Sequence, residues 1–214
     1  VGTRRILAPF ALGRRLAWFA ALGFLLLGVA ARVSARSAAG VSPLEPGAGV
    51  GLPRVQLEEL RSQFNRAGQS VRVLAILSPS CPACQHGQGV IRSAFEKFRS
   101  ERLKGFVIWL PILSSDSAPL ATRQAEEFDD RRVVQRWDAD RRIGETFAGR
   151  LNLRGTAWDV YLLYAPGVKW EGDAPPAPTF WMHQLTRQTG ADSRLCLNPG
   201  RFLREVGRLL EKAG

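Results

Sequence analysis

The sequence predicts an α/β domain with a central mixed sheet flanked by helices, preceded by an N-terminal apolar helix. Three observations predict it. VRVLAILSP (71–79) and GFVIWLPIL (105–113) are continuous aliphatic runs of the kind found in strands buried on both faces of a parallel sheet. Between them lies a helical pattern, so strand, helix and strand follow one another as a right-handed βαβ unit. Further along, two β-rich runs and a strongly amphipathic C-terminal segment supply the remaining sheet and a closing helix.

Taken in order, the chain begins with a basic flank containing Arg4, Arg5, Arg14 and Arg15, then sixteen uncharged, mostly apolar residues (16–31), then Arg32 and Val33-Ser34-Ala35. That is the pattern of an export signal. Its apolar core lies between the length of a cleaved signal and that of a spanning helix, so residues 1–36 read either as a signal peptide cut after Ala35 or as an uncleaved signal anchor. Both place the rest of the chain outside the cytoplasm, with membrane contact through residues 16–31. Residues 37–52, rich in Gly, Pro and Ala, read as a flexible linker. The folded domain is expected over 53–214.

Leu57, Leu60 and Phe64 form the apolar face of a first helix. After the first strand, Val90, Ile91, Ala94, Phe95 and Phe98 line one face of a second. The polar stretch 114–150 is read as two covering helices, Ala121 to Phe128 and Arg141 to Leu151. AWDVYLLYAPGVKWEG reads as two strands joined in a hairpin at Ala165-Pro166-Gly167. A Pro-rich loop, Ala174 to Pro178, leads to TFWMHQL. Asn198-Pro199 then opens a last helix with Phe202, Val206, Leu209 and Leu210 turned inward.

The formal net charge of +11 raises the question of nucleic-acid binding, but its distribution argues against it. Six arginines and no acid fall in residues 1–36, and the remainder carries 24 basic and 19 acidic residues, a net +5. No basic stripe interleaved with aromatics appears, so no nucleic-acid partner is expected.

Cys81 and Cys84 carry the chemistry. Two thiols at i and i+3 that open a helix can close a disulfide ring, and the unpaired N–H groups of the helix N-terminus favour a thiolate. Cys81 is expected as the attacking thiol and Cys84, one turn inward, as the resolving thiol. Pro82 fits the first helical position. No second Cys-x-x-Cys completes a zinc site, and export favours disulfide chemistry.

SPSCPAC after a hydrophobic strand, the helix behind it, and the late strands resemble the thioredoxin superfamily, especially bacterial membrane-tethered thioredoxin-like proteins. Trp137-Asp138-Ala139-Asp140, with Gly144, Phe147 and Leu153-Arg154-Gly155, is similar to the segment those proteins carry before their final hairpin. The resemblance implies a thioredoxin-like fold and thiol-disulfide exchange with protein thiols or disulfides. It also implies a membrane redox partner and no dissociable cofactor. Two departures narrow it. Thr156-Ala157-Trp158-Asp159 stands where the family places a cis-proline, and Ala75 where it places a buried acid. Asp159 and Trp158 are therefore expected opposite the sulfurs, and a specialised client in place of general disulfide reduction.

An alternative reading is a soft-metal, copper-handling protein of the same fold, with Cys81, Cys84 and His183 as ligands. His86 is expected as an exposed polar residue at the helix start, Cys196 as a buried, inert thiol, and Trp109, Trp158, Trp170 and Trp181 mostly as core.

Overall fold

The computed structural model describes residues 51–213. The predicted apolar helix and most of the linker lie outside the described residues. Within them no helix is long and apolar enough to cross a membrane.

Five strands form one sheet: β1 (Val71–Leu77), β2 (Leu103–Trp109), β3 (Val133–Trp137), β4 (Val160–Tyr164) and β5 (Phe180–His183), in the spatial order β3-β2-β1-β4-β5. β1, β2 and β3 are parallel, whereas β4 runs antiparallel to both β1 and β5. The sheet is mixed, with β1 at its centre. Five α-helices cover it: α1 (Leu57–Arg66), α2 (Pro82–Lys97), α3 (Ala118–Glu126), α4 (Arg142–Leu151) and α5 (Pro199–Ala213).

The period-2 alternation of strands divides the core in two. Val71, Val73, Ala75 and Leu77 of β1 join Val107 and Trp109 of β2 and Tyr161 and Leu163 of β4 on one face. Ile91 and Phe95 of α2 and Phe202, Val206 and Leu209 of α5 pack there. The other face takes Leu74, Ile76, Phe106, Ile108, Leu162 and Tyr164, packed by Leu60 and Phe64 of α1 and Ile143 and Phe147 of α4. With both faces covered, β1 has every residue buried, and its sequence reads as an unbroken apolar run for that reason. Arg72 is the exception. It is fully buried, lies 4.3 Å over the Phe64 ring, and donates to the carbonyls of Val168 and Ala165.

Three expectations need correction. The hairpin at Ala165-Pro166-Gly167 does not form, because β4 pairs with Phe180–His183 and residues 165–179 make a long excursion. Val168-Lys169-Trp170 is drawn away by other partners. Trp170 exchanges two hydrogen bonds with the Asn65 side chain (2.9 and 3.0 Å) and packs edge-on against Phe64 and Phe147. The stretch 114–150 also holds a strand, β3, that the helical reading overlooked. Its polar residues hide it. Gln135 accepts from Trp109 Nε1 and donates to the carbonyls of Ala125 and Phe128, so an amide within the strand ties β2 and the end of α3 together. Finally, α3 begins at Ala118, earlier than expected, because Ser117 caps it by accepting from Leu120 N.

The loop before β4 is set by close packing on α4. Asp138 is buried and accepts from the backbone N–H groups of Arg142, Ile143 and Gly144, which fixes the head of that helix. Gly144 then accepts from Ala157 N at 2.9 Å. A Cβ on Gly144 would lie 2.5 Å from the Thr156 side chain and 2.9 Å from the Ala157 carbonyl oxygen. Glycine lets the loop that carries Asp159 seat against α4.

Candidate active site

The site lies at the C-terminal end of β1, where the chain leaves the sheet and turns into α2. Cys81 is the N-cap of α2: its backbone is extended and its sulfur accepts from Cys84 N at 3.5 Å. Pro82 follows at the start of the helix, where its missing N–H costs nothing. Cys84 lies one turn inward, fully buried, and accepts from Ser78 N at 3.3 Å. Cys81 keeps 7% exposure. Both cysteines are buried, and of the two Cys81 is the less deeply so.

The loop bearing Cys81 is braced by Asp116. Its carboxylate accepts from Ser78 Oγ, from Ser80 N and Oγ, and from the N–H groups of Ile112 and Leu113. Burial alone would raise this carboxyl, but the Ser80, Leu113 and Ser78 donors outweigh it and hold it below the ordinary carboxylate value. Asp116 therefore stays charged and keeps the loop in place. The sequence reading missed it, and the signal for it was faint: an aspartate in a serine-rich loop thirty-five residues from the motif it braces.

Asp159 stands opposite the dithiol. An oxygen of its carboxylate and the sulfurs of Cys81 and Cys84 lie within 4.8 Å of one another. The residue is 1% exposed and has φ +55°, in the left-handed region that aspartate tolerates better than most side chains. Tyr161 Oη and Gln184 Nε2 both donate to its Oδ1, the latter at 3.0 Å. Gln184 Nε2 also reaches the Ala83 carbonyl at 2.7 Å, tying the cysteine turn to the acid. A buried acid thus stands beside the dithiol on the residue that precedes β4, and β1 carries Ala75 and no acid. In register, Ala75 faces Tyr161, and its small side chain leaves room there.

The electrostatics separate the two sulfurs. The Cys81 thiol is brought down to about 6, first by the hydrogen bond it receives from the Cys84 side chain, against the opposing effect of burial. Burial pushes the Cys84 thiol far up, and the hydrogen bond it gives to Cys81 and the charge of Asp159 add to this. Asp159 itself is raised by burial, which the Tyr161 and Gln184 donors only partly offset. Tyr161 is raised for the same reason.

His183 is not brought into this group. It is buried on β5, its Nδ1 accepts from Leu185 N at 3.0 Å, and its Nε2 sits 2.9 Å from the Asp192 carbonyl. Both ring nitrogens already have backbone partners, so the set of Cys81, Cys84 and His183 is not assembled. His86 is exposed on α2, as expected. Cys196 corrects its expectation: it is exposed, because the chain meets β5 here only by the bridge to His183 and leaves again at once for α5. Trp109 and Trp170 are buried, while Trp158 and Trp181 are half-buried.

No protein-family model matches the sequence, and no curated protein matches it. Among solved structures, the chain is similar to a thioredoxin-like protein solved in its oxidised form in solution, at 14% identity over 78% of this chain and 93% of that one, with a TM-score of 0.49. It is also similar to a secreted Mycobacterium tuberculosis disulfide oxidoreductase homologous to E. coli DsbE, at 10% identity over 68% and 86%, TM-score 0.45. A thioredoxin-family thiol:disulfide interchange protein from Chlorobium tepidum matches at 11% identity over 69% and 84%, TM-score 0.43. Such identities concern the fold alone. With its parallel β3-β2-β1, its antiparallel β4 and β5, and a dithiol capping the helix that follows the central strand, the described domain has a thioredoxin-like fold.

Proposed function

We propose that this protein is an extracytoplasmic thiol-disulfide oxidoreductase that acts on a specialised protein client, with Cys81 as nucleophile and Cys84 as resolving thiol. The observation that carries the reading is the position of Cys81 as the N-cap of α2, 7% exposed, with the fully buried Cys84 one turn inward. The thiolate is the reactive form, and a Cys81 thiol near 6 is ionised at neutral pH. In one direction the Cys81 thiolate attacks a client disulfide and a mixed disulfide forms. Cys84 then attacks Cys81 Sγ, closing the Cys81–Cys84 bond and releasing the client as a dithiol. The reverse sequence oxidises a client dithiol.

Electrons pass to or from a second dithiol or disulfide, for which a membrane redox partner is the natural class given the basic-flanked apolar segment at 16–31. The client is held to be specialised because the backbone before β4 has no proline and Asp159 occupies the space beside the sulfurs.

Replacement of each cysteine tests the reading. Cys81→Ser is expected to abolish turnover of a disulfide reporter, whereas Cys84→Ser traps the protein as mixed disulfides at Cys81. Wild-type turnover in both variants would refute it.

A further inference from the structure

Resolution of the mixed disulfide poses a chemical problem at Cys84. Its sulfur is fully buried, within 4.8 Å of a carboxylate oxygen of Asp159 and of the Cys81 sulfur, which as a thiolate is an acceptor for the Cys84 S–H. Once Cys81 is bonded to a client, that acceptor is lost. The thiol must still give up its proton to become a nucleophile. Among the side chains packed on it, Asp159 carries the carboxylate within reach of both sulfurs.

From this arrangement we infer that Asp159 is a catalytic residue, the proton acceptor for Cys84 in the resolving step and its donor in the reverse step. The inference rests on the exchange reading of the dithiol. Three features support it. A carboxylate oxygen lies within 4.8 Å of both sulfurs, on the residue that precedes β4, the strand paired with β1. Its orientation is fixed on Oδ1 by Tyr161 and Gln184, as a general base requires. And φ +55° at a non-glycine residue is maintained where an extended proline would direct the chain elsewhere. The titratable groups facing Asp159 are Cys81 and Cys84 of α2, Tyr161 beside it on β4, and His183 of β5.

The step balances as follows. With glutathione disulfide as the oxidant, the Cys81 thiolate takes one glutathione and releases the other as thiolate. Cys84 S–H passes its proton to Asp159 as Cys84 Sγ attacks Cys81 Sγ. The Cys81–Cys84 bond forms, the Cys81–glutathione bond breaks, and the departing thiolate leaves with the electron pair and takes up the proton. The protein dithiol is oxidised and one glutathione disulfide is reduced to one glutathione thiolate and one thiol, the thiolate equilibrating with solvent protons.

Rapid mixing of the reduced full-length protein with glutathione disulfide, followed by acid quench and mass spectrometry, resolves the two steps. All forms carry Cys196→Ser to remove the exposed third thiol. Asp159→Asn keeps the shape, the tolerance of positive φ and an oxygen for Tyr161 and Gln184, but cannot take a proton. It is expected to glutathionylate Cys81 within about threefold of the wild-type rate. The resolving step should slow by about 100-fold or more, the usual range for loss of a general base, so that the mixed disulfide accumulates. Tyr161→Phe keeps the carboxylate but removes a donor to its charged form, and should shift the pH midpoint of resolution upward. Resolution by Asp159→Asn at the wild-type rate and with the wild-type pH profile would overturn the assignment and leave the exchange reading intact. A wild type that forms no mixed disulfide at Cys81 would overturn both.

Discussion

Asp159 is held in a costly state from two directions. Its backbone lies in the left-handed region, and its carboxyl is buried against two sulfurs, where the donors Tyr161 and Gln184 offset the burial only in part. Burial raises its folded pKa above the ordinary 3.8, so above that pH the native state binds more protons than the unfolded one. Stability therefore falls as pH rises from about 4 through the folded value, and each pKa unit of the shift costs about 1.4 kcal/mol. Asp159→Asn removes that loss. The variant is expected to melt higher than wild type at pH 7, by about 3 °C per kcal/mol in a domain of this size, with the gain vanishing below about pH 4. Thermal denaturation across that range checks it, and a variant less stable than wild type at pH 7 would contradict the picture of a buried, functionally retained acid. The position of this residue was partly legible: the missing proline drew attention to Thr156–Asp159. Its bonding to Tyr161 and Gln184 was not, because those partners come together only when β4 and β5 pair.

At the level of elements, α2 sits close to the sheet because Gly87 lies over Tyr161. A Cβ there would lie 1.7 Å from the Tyr161 hydroxyl oxygen and 2.2 Å from its ring. Tyr161 is fully buried in β4 and has nowhere to move. Helix propensity alone favours Gly87→Ala by about 1 kcal/mol. The overlap is expected to reverse that sign and to destabilise the domain by about 1–3 kcal/mol in denaturant unfolding. A stabilised variant would show that the contact is looser than described. The same scale shows why some elements were readable and others were not. β1, α2 and β2 declare themselves because their environment is uniform, apolar on both faces of the strands and along one stripe of the helix. β3 carries Gln135 and Arg136, whose partners Trp109 and Glu59 lie 26 and 77 residues away, outside any local window. β5 lost its place to Val168-Lys169-Trp170, a better β-former in isolation, because Arg72 and Asn65 hold that segment's backbone at a distance no propensity records.

For the whole molecule, the thioredoxin-like arrangement followed from the order of its readable elements even though one strand and one pairing were misassigned. The βαβ unit that carries the dithiol is central, and the remaining strands have few places to go. The fold then gives the two thiols unlike surroundings. α2 presents one sulfur at its head and buries the other, and β4 brings the acid to the buried one. On the proposed exchange function, this asymmetry makes Cys81 a reactive thiolate at neutral pH. It is tested most directly by the pH dependence of iodoacetamide alkylation at Cys81 in the reduced Cys196→Ser protein, followed by peptide mass spectrometry. The rate is expected to rise with a midpoint at about 6 while Cys84 stays unmodified through the neutral range. A midpoint at the ordinary thiol value of 9.0, or alkylation of both cysteines alike, would contradict it.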